Sequence, residues 1–212
     1  MKNLSSVEIE KWRSKQSRKN WKNWPVLWSL VRLIPSSLLS LSKGRLFLLK
    51  EMPKNSVCAE IGTFKGYFAE KILYFTNPKK LHLIDPWTDL KYDATPNEGE
   101  NRYQNVLELL NREINFGQVL IHRGYSHEVC SNFEDNYFDW IYIDGSHEYE
   151  FVKKDLEIYY PKIKVGGFIT GDDYMEGPWF KGGGVKRAVD EFIATKLVKV
   201  IKIKNRQFIL KK

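Results

Sequence analysis

Cysteine is scarce in this chain: Cys58 and Cys130 are the only two in 212 residues. They form no metal or redox motif, which excludes a Cys-rich zinc site and fits free thiols, packed as core fillers, in a reducing, cytoplasmic compartment. Long apolar runs are missing too. The best candidate, from Val26 to Leu41, is broken by Arg32 and Pro35, so we read neither a transmembrane helix nor a signal peptide with a cleavage site. The chain has no G-x-G-x-x-G and no Walker lysine, which removes the dinucleotide fingerprint and the P-loop. Internal repeats are absent. What is present is 42% hydrophobic and 14% aromatic residues, the composition of a packed globule with one full core and room for an appendage.

Acidic residues are nearly lacking at one end. Residues 1–50 hold 11 Lys and Arg against Glu8 and Glu10, so the net charge of +8 belongs to this stretch and the remainder is close to neutral. Four of the seven tryptophans, Trp12, Trp21, Trp24 and Trp28, lie there as well. We therefore divide the chain into a basic, tryptophan-rich helical arm or lid over residues 1–44 and a globular domain over 45–212. Cations beside a tryptophan-bearing apolar stripe suit peripheral contact with an anionic membrane, and a lid or dimer arm, as in a homo-oligomer, is the competing reading. Nucleic acid is disfavoured, because the body lacks the positive face that phosphate binding needs.

From residue 56 short apolar runs ending in Gly or Asp alternate with amphipathic stretches. Strands are expected over 56–62, 80–87, 118–126, 138–145 and from 166, and helices over 66–75, 102–114, up to about Tyr160, and 185–193. Residues 197–212 alternate apolar and charged around Asn205-Arg206, a hairpin signature. This order gives an open, mostly parallel α/β sheet closed by a hairpin.

In such a sheet ligands sit at the carboxyl ends of the strands. Glu60, Gly62, Asp85, Gly124, Asp144, Asp172 and Asp173 all fall there. Gly62 and Gly66 are spaced G-x-x-x-G, and Asp85 ends the second strand where a carboxylate would meet ribose hydroxyls, a combination that suits an adenosine-containing cofactor. Asp144, Asp172 and Asp173 raise a different question, since adjacent carboxylates repel and no basic residue lies in their loops. A hard divalent cation, Mg²⁺, Mn²⁺ or Ca²⁺, answers it. Capping by Asp173 and a turn at Asp144 would explain each residue singly.

The segments "CAEIGTFKGYFAEKI", "LHLIDPW", "IHRGYSHEV" and "FDWIYIDGSHEYEFVKKDLEIYYPKIKVGGFITGDDY" resemble S-adenosylmethionine-dependent methyltransferases of the Rossmann-like type. More narrowly they resemble the metal-dependent O-methyltransferases of the macrocin and novobiocin-sugar type, similar to catechol O-methyltransferase. The resemblance covers about residues 45–195. It implies a seven-stranded sheet with an antiparallel C-terminal hairpin and helices on both faces. It places Glu60, Gly62, Thr63 and Gly66 around the methionine part of the cofactor, Asp85 on the ribose, and Gly124 and Ser126 beside the adenine. It makes Asp144, Asp172 and Asp173 the ligands of a divalent cation, Mg²⁺ foremost. His147 falls where the catechol enzymes carry a catalytic lysine, so a histidine base or a loop histidine both fit. The implied reaction is methyl transfer to a hydroxyl of a small molecule: a sugar, polyol or phenol. An RNA methyltransferase using the arm, a metal-dependent hydroxylase-like enzyme and a non-enzymatic membrane-peripheral member of the fold are the alternatives. Trp87, Tyr149, Tyr174 and Trp179 are candidates to wall the acceptor. His82, His122 and His127 receive no catalytic role.

Overall fold

The computed structural model describes residues 43–90, 93–176 and 183–212. Apart from positions 43 and 44, the basic arm lies outside these residues, as does Trp179.

Seven strands form one sheet: β1 (Val57–Ile61), β2 (Lys80–Asp85), β3 (Val119–Arg123), β4 (Phe138–Ile143), β5 (Ile163–Gly171), β6 (Lys199–Lys204) and β7 (Gln207–Lys211). Their order is β3-β2-β1-β4-β5-β7-β6. The first five are parallel, and β7 enters antiparallel between β5 and β6. The order reverses between β1 and β4, which opens the crevice where this topology binds ligands. The helices are α1 (Lys43–Glu51), α2 (Tyr67–Thr76), α3 (Glu98–Leu109), α4 (Asn111–Asn115), α5 (Ser126–Val129), α6 (Tyr149–Tyr159) and α7 (Gly184–Ala194).

Both faces of the sheet are covered, so its central strands read as near-continuous apolar runs. On one face Leu48 and Leu49 of α1, Met52 just beyond it, Phe68 and Ile72 of α2 and Val106 of α3 pack on Cys58, Leu83, Trp140 and Tyr142. On the other, Val152, Leu156 and Tyr159 of α6 and Val185, Val189 and Phe192 of α7 pack on Ala59, Ile61, Ile141 and Ile143. Alternation along β4 explains the split, with Trp140 and Tyr142 facing one way and Ile141 and Ile143 the other. Each fully buried Leu or Met contributes about 1.5–3 kcal/mol, so this trio fixes α1 and its C-terminal end to the sheet.

Strands β2 and β4 end two residues earlier than expected, the helix expected over 102–114 is broken at Leu110, and three further boundaries differ. Helix α3 begins at Glu98 instead of 102 because Asp89 reaches across the loop and accepts from Asn97 N and Gly99 N at 2.9 and 2.7 Å. Strand β5 begins at Ile163, with Gly166 at φ 82° and a register shift against β4 before the expected start. The chain after β3 turns into the short helix α5, where a continuation of the strand was expected. The hairpin falls as the pattern indicates, with Asn205 and Arg206 both left-handed at φ 52° and 66°, the geometry of a two-residue turn matched to strand twist. Strand β6 is exposed along its length, and Lys199, Lys202 and Lys204 guard it.

Candidate active site

The turn after β1 is wedged between its neighbours. Gly62 N donates to Ile84 O at 2.9 Å, while Asp144 N donates to Ile61 O at 2.8 Å. A Cβ on Gly62 would stand 2.3 Å from Asp144 O, and the residue has φ 90°. Glycine is required there by the crossing of two loops. Gly66, at φ 79°, occupies the N-cap of α2.

Glu60 is the anomaly of this turn. It faces α1 and α2 beside Tyr142, its register partner on β4, and is 1% exposed. Its Oε2 and the hydroxyl of Thr63 are the two buried side-chain polar atoms without a hydrogen-bond partner among the described residues. Burial pushes the Glu60 carboxyl well above the usual range; Asp144 adds to this, while the Thr63 hydroxyl, nearby but outside hydrogen-bond geometry, and Arg45 pull it part of the way back. A buried oxygen left unmatched costs about 1–3 kcal/mol and calls for an explanation.

At the end of β2, Asp85 accepts from Phe64 N at 2.9 Å and from Trp87 N at 2.7 Å. Burial raises its pKa against these bonds. Thr63 N also helps to hold the carboxylate; of its roughly four acceptor positions, at least one remains open among the described residues. Trp87 Nε1 donates to Phe64 O at 2.8 Å, and the ring is 2% exposed, which makes Trp87 core and not a wall for an acceptor. Beyond β3, Gly124 N donates to Asp85 O at 3.1 Å. Ser126 Oγ donates to Asp155 on α6 at 2.5 Å, and burial pushes that carboxyl up to about 6.

The ends of β4 and β5 bring Asp144, Asp172 and Asp173 together, with His147 beside them. One ligand atom each of Asp144, His147 and Asp173 lies within 4.8 Å of the others. His147 Nε2 is 3.2 Å from Asp173 Oδ2 and 3.9 Å from Asp144 Oδ1. Asp144 foremost, and Asp173 and Asp172 in addition, raise the histidine above its ordinary value against the burial that opposes its charge. Burial raises Asp144, while His147 and Arg45 lower it.

Basic residues do enter, from elements remote in sequence. Arg45 Nη2 on α1 lies 2.9 Å from Asp144 Oδ2, and the same guanidinium donates to Asp172 Oδ2 through Nη2 and, at 2.7 Å, through Nε. It sits over Phe68 and Tyr142, 5.2 and 5.9 Å from the ring centroids. Arg206, from the hairpin turn, pairs with Asp173. Gln207 Nε2 donates to Asp172 Oδ1, which also accepts from Asp173 N at 2.7 Å. Asp173 is left-handed at φ 56°. It caps no described helix, since Gly183 holds the N-cap of α7. Arg45, Arg206 and Gln207 were missed in the sequence; the one trace of Arg45 is a lone guanidinium inside the run "RLFLL".

These strand ends carry the marks of one family. Residues 59–174, over half of the chain, match the family described as methyltransferase domain. The chain belongs to this methyltransferase family. An uncharacterized protein of Acanthamoeba polyphaga mimivirus is 29% identical to the methyltransferase over 139 residues, which is 64% of this chain and 58% of that protein. Among solved structures, a candidate caffeoyl-CoA O-methyltransferase from Staphylococcus aureus is similar with TM-score 0.59 and 18% identity, covering 99% of this chain and 93% of that one. The O-methyltransferase TomG of Streptomyces achromogenes, in complex with SAM, is similar with TM-score 0.60 and 16% identity, covering 82% and 81%. These likenesses establish the Rossmann-like methyltransferase fold. No described helix is long and apolar enough to cross a membrane.

Proposed function

We propose that this methyltransferase moves a methyl group from S-adenosylmethionine to a hydroxyl of a small molecule, a sugar, polyol or phenol, and uses a divalent cation to do so. The observation that carries the proposal is the unpartnered Glu60 oxygen beside the β1–α2 turn. A cationic ligand group, the ammonium of the methionine moiety, would satisfy it and draw the carboxyl into its charged form. The remaining acceptor capacity of Asp85 suits a ribose hydroxyl, and Gly124 and Ser126 would border the adenine. The O-methyltransferases among similar folds, one of them in complex with SAM, support the choice of donor and acceptor atom.

The donor set fits a divalent cation in Asp144 and Asp173, whose oxygens approach one another beside His147. Asp172 would complete the three-carboxylate set only by giving up bonds to Arg45 and Gln207. Such an ion, when bound, supplies Lewis-acid lowering of the acceptor hydroxyl's pKa. The chain's own residues do the rest. The two strand ends hold donor and acceptor for in-line displacement, and His147 takes the hydroxyl proton. Asp144 and Asp173 raise its basicity in the free protein; with an ion held on the same carboxylates that pull would be weaker, leaving the imidazole neutral to take the proton. Tyr149 and Tyr174 flank this end of the sheet, held by Glu191 and Asp190 at 2.6 Å each. The cations and tryptophans of the arm support peripheral contact with an anionic membrane from the cytoplasmic side.

Calorimetry with S-adenosylmethionine tests the donor, followed by mass spectrometry of reactions offering vicinal diols, phenols and sugars. Binding of the cofactor and a gain of one methyl on a hydroxyl are the expected results. Failure to bind S-adenosylmethionine or S-adenosylhomocysteine would overturn the proposal.

A further inference from the structure

Asp172 has no acceptor position left for a metal ion. Its Oδ2 takes two donors from Arg45, and its Oδ1 takes Gln207 Nε2 and Asp173 N. Four donors match the capacity of a carboxylate. The donors are themselves fixed. Tyr142 OH, on a fully buried ring, donates to Gln207 Oε1 at 2.9 Å and so sets which end of the amide faces Asp172. Arg45 rides on α1, whose Leu48 and Leu49 are in the core with the adjoining Met52, and whose Glu51 takes Lys202 Nζ at 3.0 Å. The Arg45 fork spans two carboxylates, bringing positive charge to Asp144 as well.

We propose that Arg45 is a resident cation of the active site, which holds Asp172 out of metal coordination and competes with a divalent ion for Asp144. This rests on the reading of the strand ends as a metal-assisted methyl-transfer site. It follows that the free protein neutralises its clustered carboxylates with its own side chains. A divalent ion therefore meets a site with one ligand withdrawn and two shared, Asp144 with Arg45 and Asp173 with Arg206, and binds weakly until Arg45 yields. An arginine can do this where a lysine cannot, because a planar fork reaches two carboxylates at once while an ammonium is a point charge.

The probe is Mn²⁺, titrated into the full-length protein and followed by calorimetry and by the loss of free-ion paramagnetic resonance. Arg45→Met should tighten Mn²⁺ binding about tenfold or more, a coupling of about 1.4 kcal/mol. Arg45→Lys should fall between the two, and it decides the matter if Arg45→Met melts early. Removal of any nearby positive charge would favour the ion somewhat, so the decisive measurement is a cycle with Asp172→Asn. In the presence of Arg45 this change should alter Mn²⁺ affinity less than about threefold; in the Arg45→Met background it should cost about tenfold or more. Equal costs in both backgrounds, unchanged affinity in Arg45→Met, or no Mn²⁺ binding by any variant would each overturn the proposal. S-adenosylmethionine titrated into the same variants reads the cofactor site separately, so failure of the Arg45 proposal is not confused with failure of the methyl-transfer reading.

Discussion

His82, which is buried, makes a polar cluster with the half-buried His122 and Tyr137 on the face covered by α6 and α7, whereas buried Glu60, Asp172 and Gln207 make one with half-buried Arg45 on the face covered by α1 and α2. In the first, His82 Nδ1 is 2.9 Å from His122 Nε2, and its Nε2 is 3.1 Å from Tyr137 OH. Phe133 and Phe138 stand edge-on to the ring. Both imidazole nitrogens of His82 are used and no charge is needed. In the second, guanidinium and carboxylates are forced together, and one oxygen of Glu60 is left over. Buried polarity that closes on itself specifies a fold; buried polarity with an unmatched atom specifies a ligand. Position agrees, for the histidines lie mid-strand and the carboxylates gather at strand ends.

The largest expected effect tests whether the second cluster performs chemistry. His147→Ala should lower turnover by about 10²–10⁴-fold if proton removal limits the rate, with S-adenosylmethionine affinity almost unchanged. Steady-state kinetics beside calorimetry separates the two. A variant that keeps most of its rate would put His147 with His82 among the structural histidines.

Gly62→Ala asks what holds the strand ends together. The added Cβ meets Asp144 O at 2.3 Å in a backbone with φ 90°, so stability should fall by about 3 kcal/mol through strain and displacement. Denaturant unfolding measures it. A neutral outcome would mean that the loops of β1 and β4 do not cross as tightly as described. Next in size is Asp85→Ala, expected to weaken cofactor binding by about 1.5–3 kcal/mol, the worth of a hydrogen bond to a charged group. Unchanged affinity would confine Asp85 to bracing Phe64 and Trp87.

Much of this was legible in the sequence, and the reason is locality. Strand ends announce themselves as apolar runs stopped by Gly or Asp, and Asp144 and Asp172 are one strand–helix–strand unit apart, so neighbouring strands were expected. The Asn205-Arg206 turn was legible for the same reason. What could not be read were charges arriving from a distance. Arg45 meets Asp172 across 127 positions, and no Lys or Arg lies within seven residues of the three aspartates. Arg206 marks the turn, yet nothing local says that its side chain reaches Asp173. The early start of α3 has the same origin, since the group that caps it, Asp89, lies in the preceding loop. Trp87, one of four candidate walls, proves to be core, because exposure at a sheet edge depends on how the following loop folds back.

The smallest effect concerns the histidine cluster and tests the other half of the comparison. Burial foremost, then His122 and Lys80, lowers the pKa of His82 to about 4. In the unfolded chain it returns to about 6.5. The folded value is the lower one, so the unfolded state binds the proton first as pH falls. The stability owed to neutral His82 is therefore complete above about pH 6.5 and is lost progressively toward pH 4. Between pH 7 and pH 5 this amounts to about 1–2 kcal/mol after allowance for solvent near the ring. His82→Phe keeps the aromatic packing against Phe133 and Phe138 and removes the titration. Unfolding of wild type and variant at the two pH values gives the contribution as a difference, in which the shifted carboxyls of Glu60 and Asp144 cancel. The wild type should lose more stability than His82→Phe on acidification. Equal losses would mean that the cluster accepts a proton without cost, and that closure of its hydrogen bonds is not what separates it from the active site.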